Sequence, residues 1–153
     1  MKNLADNLYS VDSVVRLEQV AIQQFAIPAY ELMKRAGEAV FNVIKRRYPH
    51  AENILVLCGA GNNAGDGYVV ALLAKQAGFN VRVISLIDPA KLKNEASLAY
   101  HDWSKAGEND VPELSAIDEA EVIVDALLGT GLTREVSSRW SEWIAAANGS
   151  GKA

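Results

Sequence analysis

The chain has 153 residues, half of them apolar and 22% charged, which is the size and make-up of one folded domain with a real core and excludes a disordered segment. A formal net charge of −4 and only short basic runs give no footprint for nucleic acid or an anionic membrane, and no apolar stretch is long enough to span a bilayer. The N-terminus lacks a charged-then-apolar leader pattern and the single cysteine, Cys58, cannot form an internal disulfide, so a cytoplasmic location is expected.

Taken in chain order, Ser10 reads as a helix N-cap with Asp12 in the first turn, and Val14, Val15, Leu17, Ala21 and Phe25 follow at roughly helical spacing. Pro28 suits the first position of a second helix. There Ala29, Leu32, Met33, Ala36, Ala39, Val40, Val43 and Ile44 form an apolar stripe expected to pack into the core until Tyr48-Pro49 stops it. The cations at 45–47 fall at that helix's C-terminal end, where the macrodipole favours them. Residues 53–59 are a continuous apolar run, predicted as a strand buried on both faces. After a glycine-rich loop, a helix is predicted over 65–76, with Gly78 just beyond it as a C-cap. Residues 80–87 read as a second strand, 89–105 as an unbroken helix, Val122–Ala126 as a third strand and 134–149 as a last helix stopped by Gly149. Strands alternating with helices imply a parallel sheet covered by helices and joined by right-handed crossovers. A further strand would come next in that alternation, so 1–153 reads as a single domain, incomplete at its C-terminal end.

The chemistry concentrates in LCGAGNNAGDGYVVA, residues 57–71. It lies where open α/β sheets bind ligands, past the carboxyl end of a strand at a helix N-terminus, where unpaired N–H groups and the helix dipole favour anions. Gly59, Gly61, Gly65 and Gly67 are suited to bringing backbone close to a phosphate. Gly59-x-Gly61-x-x-Ala64 fits the loose dinucleotide fingerprint, yet the acidic partner expected about 20 residues on is missing: that region reads Ile84-Ser85-Leu86, and Asp88 comes late. No Gly-Lys-Ser/Thr follows, so the loop is not a Walker A motif. Asn62, Asn63 and Asp66 add oxygen-bearing side chains; as turn and cap residues they also have a purely structural reading. A second oxygen-rich point lies at the end of the third strand, in VDALLGTGLTRE, with Asp125 followed by Gly129-Thr130-Gly131. In a parallel sheet both strand ends open onto one edge. Asn63 and Asp125 could then face one cleft, and a carboxamide with a carboxylate suits an alkali or alkaline-earth cation that helps hold a pyrophosphate. His50 and His101 read as surface residues, and Cys58 as a small core filler.

GAGNNAGDGYVVA together with VDALLGTGL, preceded by IPAYELMKRAGEAV, resembles the YjeF N-terminal domain family, the NAD(P)H-hydrate epimerases, over essentially the whole chain. The resemblance implies a Rossmann-like three-layer α/β/α sandwich with a mostly parallel sheet and two N-terminal helices, usually a homodimer. It implies interconversion of the R and S epimers of hydrated NADH or NADPH, in many bacteria within a chain fused to an ADP-dependent dehydratase. By motif, Asn62, Asn63, Ala64, Gly65 and Asp66 would contact the hydrated dinucleotide. Gly129, Thr130, Gly131, Leu132, Thr133, Arg134 and Glu135 would wrap its phosphates, and Asn63 and Asp125 would bind potassium. The family commonly has Gly where this chain has Ala64. Its favoured acid–base Asp, with a potassium-binding Ser, stands in a later Asp-x-Pro-Ser-Gly strand that lies beyond Ala153. Asp66 is the remaining nearby carboxylate and a lesser catalytic candidate. A non-catalytic ligand-binding or scaffold module of the same family is the alternative, and an ordinary nicotinamide oxidoreductase is disfavoured by the missing acid.

Overall fold

The apolar run at 53–59 becomes the middle of a sheet. In the computed structural model, which describes residues 9–133, 135–136 and 138–153, β1 (Asn53–Cys58) lies between β2 (Asn80–Ser85) and β3 (Val122–Ala126). Both pairings are parallel: Val56 stands opposite Val83 on one side and Val124 on the other. Gly59 extends the ladder through its N–H to the Ala126 carbonyl, and Leu86 through its N–H to Cys58, both at 3.0 Å. At the opposite end, one Glu121 carboxylate oxygen accepts from the backbone N–H groups of Glu52 (2.7 Å) and Asn53 (2.9 Å) and clamps β1 to β3. On the outer side of β3, Ala153 donates to Glu121 and accepts from Ile123, the pattern of a parallel bridge.

Side-chain alternation along β1 divides the core. Ile54, Val56 and Cys58 pack under α2 (Ala29–Arg47), α3 (Asn62–Gln76) and α4 (Asn94–Ser104), while Leu55 and Leu57 pack against α5 (Ala116–Glu119) and α6 (Ser138–Gly149). This is the expected α/β sandwich. The first helix, α1 (Val11–Gln24), is capped as expected: the Ser10 side chain accepts from the N–H of Ser13. It has no buried residue.

Several local expectations are corrected. In α2 the buried stripe is Met33, Gly37, Phe41 and Ile44. Val40 and Val43 stay 43% and 42% exposed, because the close approach to Val69 of α3 at Gly37 sets the helix's rotation. Pro28 is the N-cap, one residue before the helix. Helix α3 starts at Asn62 with Gly61 as its N-cap, so both asparagines are helical. Its end is as expected: Gly78, at φ +91°, closes a Schellman turn in which Phe79 donates to Ala74 and Gly78 to Lys75. The strand β2 ends at Ser85. The predicted 89–105 helix breaks into a 3-10 turn (Pro89–Lys91) and α4, separated by extended Leu92 and Lys93, and α4 opens on Asn94 at φ +50°. The short α5 is an addition that its polar sequence does not signal. The helix predicted from Arg134 begins at Ser138, and Arg134 and Ser137 lie outside the described residues.

Candidate functional site

A cavity of about 890 Å³ opens at the carboxyl end of the sheet, lined by the first turns of α3, the segment after β3, and faces of α1, α2 and α4. Gly61, Asn62, Asn63 and Asp66 line it from the α3 side, and Gly129, Thr130, Gly131, Leu132 and Thr133 from the β3 side. The two walls are joined directly: the Asn63 side-chain amide donates to the Leu128 carbonyl at 2.9 Å. A turn of helix presenting its unpaired N–H groups beside a second glycine-containing segment is suited to an anionic group.

The four glycines of the loop do not share one task. Only Gly61 is at the exposed mouth with open space around it. A Cβ on Gly59 would stand 1.8 Å from the Leu127 carbonyl oxygen, one on Gly65 2.6 Å from the Met33 thioether, and one on Gly67 2.6 Å from Ala126. These three let backbone segments and helices approach each other, so the expectation that all four cradle phosphate is corrected for Gly59, Gly65 and Gly67. Ala64 is fully buried and its N–H is bonded to the Gly61 carbonyl. Ala64 and Gly65 therefore support the loop from beneath and do not line the cavity.

Asp125 is exposed on β3, in register with Leu57 and so on the α5–α6 side of the sheet. One of its carboxylate oxygens accepts from the Leu127 N–H at 3.0 Å. It is not among the residues lining the cavity, and neither is Glu135; Arg134 lies outside the described residues. Asn63 and Asp125 are thus linked through neighbouring residues, Leu127 and Leu128, rather than through a shared cavity wall. No cluster of three or more His, Cys, Asp or Glu that could hold a metal ion forms among the described residues. His50 and His101 are exposed and Cys58 is buried, as expected. Burial pushes the Cys58 thiol well up, which makes it inert.

Among the described residues, three carboxylates line the cavity: Asp66, Glu18 from α1 and Glu95 from α4. Glu18 escapes a sequence reading, because a lone charge between apolar residues on a helix looks like a solvated face. Burial, and then the Glu18 charge, push the Asp66 carboxyl up to about 6. The folded state therefore binds this proton more tightly than the unfolded chain. The associated stability is full below the unfolded carboxyl pKa of about 4 and is lost as pH rises through about 6. Asp66→Asn is accordingly expected to gain stability relative to the parent as pH goes from about 4 to about 7. Urea midpoints of the two proteins at both pH values check this, and a constant difference would refute it.

Residues 29–153 match the family model described as YjeF-related protein N-terminus. The chain is 42% identical to the bifunctional NAD(P)H-hydrate repair enzyme Nnr of Escherichia coli, over 95% of this chain and 28% of that protein. It is 36% identical to an NAD(P)H-hydrate epimerase of Bordetella pertussis, over 88% of this chain and 60% of that one. The chain thus spans under a third of the bifunctional relative's length and three fifths of the epimerase's. The crystal structure of yeast ynu0 superposes with a TM-score of 0.79 over 92% of this chain and 64% of that one, at 20% identity, and so shares the fold.

Proposed function

The chain belongs to the YjeF-related protein N-terminus family, and from that premise we propose that it is an NAD(P)H-hydrate epimerase acting on hydrated NADH or NADPH. The observation that carries this reading is the cavity in which Asn62, Asn63 and Asp66 meet Gly129–Thr133 across the Asn63–Leu128 hydrogen bond. In the substrate, C6 of the reduced ring bears a hydroxyl and adjoins the ring nitrogen, as in a carbinolamine. Epimerisation needs that hydroxyl to leave, or the ring to open, and the oxygen to return on the other face, with a proton donor and acceptor in place. The α3 N-terminal turn and the Gly129–Thr133 segment bind the pyrophosphate. Asp66, with its carboxyl near 6, is able to hold and release a proton close to neutral pH. Incubating the full-length protein with purified R epimer and an S-specific dehydratase tests the reading: complete conversion is expected, and conversion no faster than spontaneous epimerisation would refute it.

Potassium fits the donor set. Asn63 commits its side-chain N–H to Leu128 and so keeps its carbonyl oxygen for a cation, and Asp125 keeps the carboxylate oxygen that Leu127 does not use. Two hard oxygens of this kind suit an alkali cation better than zinc. Such an ion would be held by Asn63 from the cavity wall and by Asp125 from outside it, across the Leu127–Leu128 segment, and would supply positive charge at that edge of the cavity. Dinucleotide affinity is therefore expected to be higher in potassium than in an inert organic cation, and Asp125→Ala to erase most of that difference. Equal affinity in both salts would sink the cation site. Membership of a bifunctional repair protein with a dehydratase, a homodimer and a cytoplasmic setting complete the proposal; no described helix is long and apolar enough to cross a membrane.

A further inference from the structure

Helix α1 lies outside the 29–153 family match, yet it forms a wall of the cavity. Val15, Glu18 and Ile22 line it, at the i, i+3, i+7 spacing of one helix face. Across from them, α2 contributes Leu32 and Met33. The cavity's chemistry therefore differs from wall to wall. The α3 and β3 segments offer backbone N–H groups, small polar residues and the Asp66 carboxyl. The α1–α2 side offers apolar surface and the single Glu18 carboxylate, and no Lys, Arg or His lines the cavity among the described residues.

A dinucleotide hydrate has two unlike parts to match these walls. Its pyrophosphate is anionic and would be repelled by Glu18. Its reduced, hydrated ring is uncharged, with an apolar carbon edge, and its hydroxyl and carboxamide carry hydrogen-bond donors that a carboxylate accepts. We propose that α1 closes the site over the hydrated nicotinamide ring, with Val15 and Ile22 covering its face and Glu18 accepting a hydrogen bond from one of its donors. Glu18 is then a residue that selects the ring and fixes its orientation, and α1 is a working part of the site. This inference rests on the proposed epimerase reading.

The probes are hydrated NADH and ADP-ribose, which keeps both phosphates and lacks the ring. In the full-length protein, hydrated NADH is expected to slow amide exchange in α1, and ADP-ribose is not. Glu18→Ala is expected to weaken hydrated NADH about tenfold, the scale of one hydrogen bond to a charged group, and to leave ADP-ribose unchanged. Glu18→Gln, which keeps an acceptor oxygen and the side chain's size, should recover part of the loss. An equal loss for both probes, or protection of α1 by ADP-ribose, overturns the placement of the ring under α1. Binding of ADP-ribose with no response of α1 to hydrated NADH overturns this inference alone. Failure of both probes to bind the unaltered protein overturns the epimerase reading and this inference with it.

Discussion

Truncating Trp103 to alanine is expected to cost about 3–5 kcal/mol, a large share of the roughly 5–15 kcal/mol that holds a domain of this size. The indole is 1% exposed and fills the space between α4, α3 and the following turn. Gly107 has no room for a Cβ, which would stand 2.5 Å from the ring. The loss would exceed that of an apolar cavity alone. The indole N–H donates to Asn109 at 2.9 Å, and Asn109 donates in turn to the Tyr68 hydroxyl at 3.0 Å. Without the indole the Asn109 oxygen loses its partner in a part-buried place, and Asn109, which bonds Tyr68 on the helix that carries Asn63 and Asp66, is held at one end only. Trp103→Phe keeps most of the volume and should cost markedly less. Thermal unfolding of both variants decides the point: a fall of less than a few degrees for Trp103→Ala would show that the network carries little.

Gly59→Ala is expected to damage the site most for the least added mass. The new methyl would stand 1.8 Å from the Leu127 carbonyl oxygen, 2.7 Å from its carbon and 2.9 Å from the Trp140 ring. Two of these atoms are backbone and cannot rotate aside. The Leu127–Leu128 segment must move, at the 1–3 kcal/mol typical of overpacking or somewhat more, and the Asn63–Leu128 hydrogen bond that joins the two walls goes with it. Gly61→Ala is the control, since nothing lies within 4 Å of its Cβ position; as the α3 N-cap it should cost no more than about 1 kcal/mol. Urea stability is measured on both, and dinucleotide affinity of Gly59→Ala against the parent, since Gly61 itself lines the cavity. A Gly59→Ala protein as stable as Gly61→Ala and binding as tightly as the parent would refute the argument.

β1 is legible in the sequence because burial on both faces leaves a continuous apolar run between turn residues, and β3 falls on the residues expected, Val122–Ala126. Helix limits are less so wherever conformation depends on something other than period. Leu92, Ala96, Ala99 and Trp103 stay in helical phase across the break at Lys93–Asn94, so their spacing hides it. The stripe of α2 is rotated from its expected position because its direction is fixed by contact at Gly37, a residue that an apolar count passes over. The same limit applies to the glycine loop. The sequence shows four glycines, and only the packing shows that three of them make room for Leu127, Met33 and Ala126. The meeting of Asn63 with the segment after β3 follows from strand order, whereas the share taken by α1 needs its placement over the cavity.

That placement has a consequence for the molecule's internal free-energy profile. α1 buries none of its residues, Phe25 at its end is 71% exposed, and Ala26, at φ +52°, holds a backbone conformation that costs a residue bearing a side chain. The middle strand, by contrast, is hydrogen-bonded on both sides and buried on both faces. The first helix therefore belongs to the lowest-energy openings of the domain, with detachment far less costly than any event that disturbs the sheet. Its amides will exchange by a local route long before those of β1, and a protease will find the 25–28 hinge first. A wall this cheaply released gives a bulky dinucleotide a way into the cavity.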